Sequence, residues 1–225
     1  MFQNVLRRLR ESRTAELEGT EAADAGFTLI ELMVVLLIIA ILLAIAIPTF
    51  LGVTSSANDR AAQSNLTNGL TEATAQYQSS GQSYSGISGL LASSAPEYSW
   101  TASSTACTTS QPNCISVNSY DVNTANDYQG LVIAAMSKTG TCWWVAQLQA
   151  TPTSITTGET SPNVAFDSAA SGTGFQTGAA SAGTYYAKDT SPIVSGTNNC
   201  NANYPHTRSG GFSWGSSFSN AVSNS

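Results

Sequence analysis

Two features near the N-terminus could together supply an acid and an amine: the junction Gly26-Phe27 and the carboxylate of Glu31. If the chain is cut between Gly26 and Phe27, the new α-amine lies about one helical turn from Glu31, on the same helix face. Glu31 then has a cationic partner, either in its own chain or on a neighbouring copy. A contact between unlike patches of identical rods is heterologous and, repeated with an axial step, builds an open filament.

The element that must position these groups is the most hydrophobic segment, residues 27–47, in which only Thr28 and Glu31 are not apolar. As a helix it would extend about 31 Å and could cross a bilayer. A carboxylate costs roughly 2.5–3.5 kcal/mol at the centre of such a span and less near its end. A plain signal anchor fits the length but leaves Glu31 unexplained. A cleaved secretory signal has a shorter apolar run of about 7–15 residues.

The run GFTLIE, from Gly26 to Glu31, with the apolar residues after it, resembles the processing and assembly motif of type IV pilins and type II secretion pseudopilins. In that family a prepilin peptidase cuts after the glycine and methylates the new N-terminal phenylalanine. The resemblance therefore implies cleavage after Gly26, N-methylation of Phe27 and a role for Glu31 in assembly. Pro48 stands where many family members have a helix-kinking proline.

One long helix is predicted from residue 27 to 78, with a bend at Pro48, because the apolar residues keep a helical period beyond the proline. Proline in a helix interior costs about 3 kcal/mol, which suits a filament that flexes or a kink at the membrane exit. We expect four segments: a cytoplasmic leader at 1–26, a transmembrane and filament-core helix at 27–48, an amphipathic continuation at 49–78 and an extracytoplasmic head at 79–225.

The outer part of this helix needs an apolar partner, which strand-like runs downstream supply. The runs 131–136 and 142–148 flank a Gly-containing turn and predict a hairpin. Later pieces add short strands, at 184–187, 192–194 and 211–214. A helix on a small antiparallel sheet, an α+β head, is the simplest architecture, and the family resemblance implies it too.

The four cysteines predict disulfides rather than a metal site. None has the C-x2–4-C spacing of a zinc site, and the chain has one histidine. Of three connectivities we favour Cys107 with Cys114 and Cys142 with Cys200; a reduced Cys142 in the core is the alternative. Disulfides are typical of extracytoplasmic compartments.

Two short patterns imitate other chemistry. GFSWG, residues 211–215, spells the G-x-S-x-G of hydrolases, but the histidine of that fold follows the serine, whereas His206 precedes Ser213. Asp121 and Asn123 begin like a calcium loop, and Asp127 follows, but the remaining ligand positions hold other residue types. Calcium held by another geometry stays open. We predict no enzyme, no cofactor and no metal.

The distribution of charge indicates the orientation of the chain in the membrane and argues against a nucleic-acid partner. Only 10% of residues are charged, against about 25% in an ordinary domain. Four of the eight basic residues are Arg7, Arg8, Arg10 and Arg13, so the positive-inside rule places the N-terminus in the cytoplasm and the head outside. The remainder lacks the clustered Lys and Arg of a nucleic-acid surface.

These observations predict a structural subunit of a type IV pilus-like filament, held in the cytoplasmic membrane before assembly and exposed on the cell surface afterwards. The expected partners are a prepilin peptidase, other pilin subunits and an inner-membrane assembly platform. A minor pilin or pseudopilin is the nearest alternative, and a signal-anchored extracellular enzyme is the alternative from another class.

Overall fold

A single α-helix, α1 (Leu29–Ser79), dominates the N-terminal half of the computed structural model. The structure describes residues 27–122, 127–151, 181–194, 196–207 and 214–223. Pro48 lies inside α1, and the helix begins and ends within two residues of its predicted bounds. The chain divides into two compact units between Leu51 and Gly52, so α1 contributes residues to both.

Within the described residues, the head is built around a six-stranded sheet. Its strands are β1 (Ser99–Thr101), β2 (Cys114–Tyr120), β3 (Gly130–Met136), β4 (Cys142–Leu148), β5 (Gly183–Asp189) and β8 (Val222–Ser223). They lie side by side in the order β1-β2-β3-β4-β5-β8. A separate hairpin pairs β6 (Ile193–Val194) with β7 (Thr197–Asn198), and two short helices, α2 (Ile87–Ser94) and α3 (Tyr204–Thr207), complete the fold.

The sheet is mixed, which corrects the antiparallel prediction at its two edges. The central strands β2 to β5 are antiparallel, as predicted, and β3 and β4 form the expected hairpin. The edge strands β1 and β8 pair in parallel with their neighbours. Each is joined to its partner by a long connection rather than a hairpin turn, and a parallel pairing requires such a crossover. The α+β class itself is confirmed.

One face of the sheet is covered by the part of α1 that belongs to the head. Its buried residues follow the helical period, at Ala62, Leu66, Gly69, Ala73 and Tyr77. They share a core cluster with apolar side chains of β2, β3 and β4. Small residues at 62, 69 and 73 let the helix backbone approach the sheet closely. A Cβ at Gly69 would lie 2.9 Å from Ile115 Cδ1.

The other face is covered by the C-terminal loop, described over residues 196–207, which the Cys142–Cys200 disulfide ties to β4. Cys107–Cys114 and Cys142–Cys200 are both present, and all four cysteines belong to the core cluster on this face. Trp144 Nε1 donates to the carbonyl oxygen of Asn201 at 2.9 Å. The sheet is therefore buried on both sides, which explains the nearly continuous apolar runs of β3 and β4.

Candidate functional site

The N-terminus of α1 is closed by a reciprocal pair of side chains, Thr28 and Glu31. The backbone N–H and the hydroxyl of Thr28 both donate to Glu31 Oε2, at 2.9 and 2.7 Å. In return, Thr28 Oγ1 accepts the backbone N–H of Glu31 at 3.3 Å. This is a capping box, in which each side chain satisfies a backbone donor that the first helical turn leaves unpaired. Glu31 thus has a partner within its own chain.

Sequence reasoning missed the cap, although its signal was readable. The pattern T-x-x-E occupies residues 28–31, directly before the apolar run, and that pattern marks helix N-termini. The sequence predicted only an amine as the partner of Glu31. The structure adds that the same carboxylate sets the first residue of the helix, because Leu29 is the first helical residue and Thr28 takes the cap position.

Phe27 precedes the cap and extends outward. Its side chain is 88% exposed, and neither Phe27 nor Thr28 is helical. The nitrogen that cleavage would convert to an amine therefore lies just outside the ordered helix, beside the residue that donates to Glu31. Gly26, the residue expected on the other side of the cut, lies outside the described residues, as does the leader before it.

The apolar part of α1 is exposed along its whole length. Large hydrophobic side chains from Phe27 to Val53 are 45–88% exposed, whereas those of the head core are buried. By length and composition, α1 includes a stretch apolar enough to cross a membrane. An apolar surface of this extent is stable in water only when lipid or other protein covers it.

Pro48 lies inside α1 and does not end the helix. The next residue, Thr49, supplies a hydroxyl donor. Proline has no backbone N–H and so removes one bond from the helix. The hydroxyl of Thr49 donates to the carbonyl oxygens of Ala46 at 2.9 Å and Ile45 at 3.2 Å. Threonine bonding back into the preceding turn often bends a helix. The bend at Pro48 stays a prediction.

The structure describes part of the calcium-loop-like pattern but not the serine of the G-x-S-x-G pattern. The two carboxylates of the incomplete calcium pattern accept backbone hydrogen bonds: Asp121 Oδ1 accepts the N–H of Tyr128, and Asp127 Oδ1 accepts those of Val122 and Gln129. Asn123, the nucleophile candidate Ser213 and the side chain of His206 lie outside the described residues. No cluster of three or more potential metal-binding side chains occurs among the residues the structure describes.

Comparison with known proteins identifies one family model. The prokaryotic N-terminal methylation motif matches residues 22–47, a range that contains Gly26, Phe27 and Glu31 and ends just before Pro48. The match confirms the motif recognised from the residues themselves. Comparisons with curated proteins and with solved structures give no match.

Proposed function

We propose that this chain, which carries the hallmark motif of type IV pilin and pseudopilin precursors, is the precursor of a structural subunit of a type IV pilus-like filament. One observation carries the proposal: the motif coincides with a helix whose apolar surface is exposed from its first turn to Val53. This apolar surface must be shielded from water. The membrane shields it before assembly, and a bundle of identical helices shields it in the filament.

Before assembly, residues 27–48 span the cytoplasmic membrane, with the leader 1–26 inside and the head outside. A prepilin peptidase cuts after Gly26 and methylates the amine of Phe27. Glu31 then lies near the cytoplasmic end of the span. The cap reduces the cost of that position, because Thr28 gives the carboxylate two hydrogen bonds within its own chain and a hydrogen-bonded charge is less costly to bury.

During assembly, the Glu31 carboxylate forms an ion pair with the α-amine of a neighbouring subunit and keeps its hydrogen bonds to Thr28. Both Thr28 donors use Oε2, and a carboxylate has a second oxygen with its own lone pairs. Oε1 therefore accepts the incoming ammonium while Oε2 keeps the helix closed. The contact joins unlike groups, an amine and a carboxylate about one helical turn apart, on identical rods, so it repeats with an axial step along an open helix. The assembly platform in the inner membrane extracts each subunit into this array.

The test separates processing from assembly in the full-length protein. Mass spectrometry of the mature chain is expected to find N-methylated Phe27 at the N-terminus; any other N-terminus contradicts the proposal. Glu31→Gln keeps an acceptor for the cap, since Gln also serves in a capping box, but removes the charge. We expect Glu31→Gln to fold and insert but to leave little protein in sheared filaments. Normal filaments from this variant would contradict the assigned role of the charge.

The same preparation decides between a principal and a minor subunit. A principal subunit dominates the mass of sheared filaments, whereas a minor pilin or pseudopilin is present in few copies. The exposed apolar helix and the cap serve either role, so abundance relative to other filament proteins is the measurement that distinguishes them.

A further inference from the structure

In the described part of the head, four of the nine charged side chains accept hydrogen bonds inside it, and the other five do not. Within the described part of the head, the carboxylates of the aspartates at 59, 121, 127 and 189 each accept a hydrogen bond. Glu97 takes no hydrogen bond or ion pair within that part. Lys188 has one contact, with an aromatic ring. Among the described residues, neither side chain has an oppositely charged partner.

Lys188 is held in place at one edge of the sheet. It lies on β5, opposite Ser223 of the edge strand β8, and its Nζ stands 5.7 Å from the centre of the Trp143 ring. Half-buried aromatic rings continue this surface: Phe218 lies 4.6 Å from Tyr186 and 5.8 Å from Trp143, between ring centroids. The ammonium is therefore positioned over an apolar patch rather than free in solvent.

Glu97 occupies a similar setting at the opposite edge. It is exposed and comes two residues before the edge strand β1. The half-buried rings of Tyr98 and Trp100 pack edge to face, 5.7 Å apart, and Trp100 Nε1 donates to the carbonyl oxygen of Ala95 at 2.8 Å. This edge thus carries an exposed anion next in sequence to a pair of packed aromatic rings.

We propose that the β1 edge of one subunit docks on the β5-β8 edge of a second copy of this chain, with Glu97 against Lys188. This inference rests on the proposed function and names a contact between heads within the filament. The two edges have opposite charge and similar apolar surroundings, and they lie at opposite ends of the strand order. Two like edges would bring like charges together, which opposes a symmetric dimer.

Side chains rather than strand pairing make this contact. The edge strands contain three and two residues, and such short edges offer few backbone groups for strand addition. The contact joins unlike surfaces, so each head has one edge for the subunit before it and one for the subunit after it. The geometry is heterologous and does not close on two copies, in agreement with a filament.

Charge reversal tests the pairing in full-length protein. Glu97→Lys and Lys188→Glu alone are each expected to lower the yield of sheared filaments about tenfold, since each places like charges opposite one another. Combining them restores the attraction and the yield. Lys138→Glu is the matched control, because Lys138 is an exposed cation in the β3-β4 turn, and it is expected to assemble normally. Singles that assemble like wild type, or a double variant that stays defective while folded, would overturn the pairing.

Cysteine cross-linking tests proximity without relying on charge. The four native cysteines form disulfides and none is free, so Glu97→Cys with Lys188→Cys introduces the only reactive pair. Oxidised filaments are expected to give a ladder of dimers, trimers and longer oligomers, which either single variant cannot extend beyond a dimer. Filaments without a ladder refute this contact alone; failure of wild-type protein to be cut at Phe27 or to form filaments refutes the proposed function.

Discussion

At the scale of single residues, the Thr28–Glu31 pair forms a helix cap that sequence analysis missed, at the same carboxylate for which we propose a role in assembly. The carboxylate closes the first turn of α1 through Oε2, and the hydroxyl of Thr28 returns a bond to the N–H of Glu31. Removal of a capping side chain typically costs about 1 kcal/mol of helix stability. The cap is thus a local property of the subunit, and it exists before any neighbour arrives.

Thr28→Val is therefore expected to loosen the first turn while leaving the charge of Glu31 in place. A loss of about 1 kcal/mol corresponds to roughly fivefold faster amide exchange at residues 29–32, measured by hydrogen–deuterium exchange on detergent-solubilised protein. Thr71→Val is the matched control, because Thr71 lies in mid-helix and its hydroxyl only bonds back to Thr67. Thr28→Ser retains the cap and is expected to exchange like wild type. Unchanged exchange in Thr28→Val would show that the cap contributes nothing.

A second residue-scale prediction concerns alkaline pH. Tyr120 is buried and its hydroxyl donates to the carbonyl oxygen of Ala202 at 2.6 Å, and burial raises the pKa of Tyr120 well above its usual value of 10.0. At pH values above 10.0 and below the raised pKa, Tyr120 loses its hydroxyl proton in the unfolded chain but keeps it in the folded chain. The free energy of unfolding therefore falls as pH rises, by up to about 1.4 kcal/mol per pH unit. Urea unfolding at increasing pH is expected to show a shallower fall in Tyr120→Phe; an unchanged slope would refute the assignment.

At the scale of elements, the approach of α1 to the sheet depends on the missing side chain at Gly69. Glycine in a helix interior costs about 1 kcal/mol relative to alanine, yet a Cβ there would meet Ile115 Cδ1 at 2.9 Å and Trp100 Cη2 at 3.1 Å. Overpacking of this kind costs typically 1–3 kcal/mol. We expect Gly69→Ala to lower the free energy of unfolding by about 1 kcal/mol in urea titrations.

Gly89 provides the matched control for that substitution. It lies in α2, and a Cβ there would have no neighbour within 4 Å. Gly89→Ala is therefore expected to raise the free energy of unfolding, by up to about 1 kcal/mol. Stabilisation by both substitutions would show that the helix can move away from the sheet at no cost.

The same elements show what local sequence could predict. β3 and β4 were readable because both of their faces are buried and their residues are almost all apolar. β2 was missed because its polar residues are paired over long range: Ser116 is buried, and its hydroxyl donates to the carbonyl oxygen of Ala102 and accepts the N–H of Ala202. The edge strands were missed because two or three residues carry no periodicity. At the candidate site, the motif that contains Gly26, Phe27 and Glu31 was recognised from residue types and spacing, whereas the cap at Thr28 was overlooked.

At the scale of the whole molecule, the C-terminal loop covers the face of the sheet opposite α1, and the two disulfides close chain segments of very different length. Cys107 and Cys114 are separated by 7 residues, whereas Cys142 and Cys200 are separated by 58. Loop-closure entropy then assigns about 2 kcal/mol to the first disulfide and about 4 kcal/mol to the second. The second also joins the central strand β4 to the loop that holds the main-chain acceptors for Tyr120 and Trp144.

Paired alanine variants test this difference. Because all four cysteines are buried in the same core cluster, Cys107→Ala with Cys114→Ala is a matched control for Cys142→Ala with Cys200→Ala in the loss of sulfur packing. We expect the second pair to lose about 2 kcal/mol more of the free energy of unfolding than the first, measured by urea titration with tryptophan fluorescence. Protease cleavage after the Cys142 and Cys200 substitutions is expected first near residue 200, because the loop opens before the sheet. Equal losses, or a greater loss for the short disulfide, would mean that local packing rather than chain restraint sets the contribution of each bridge.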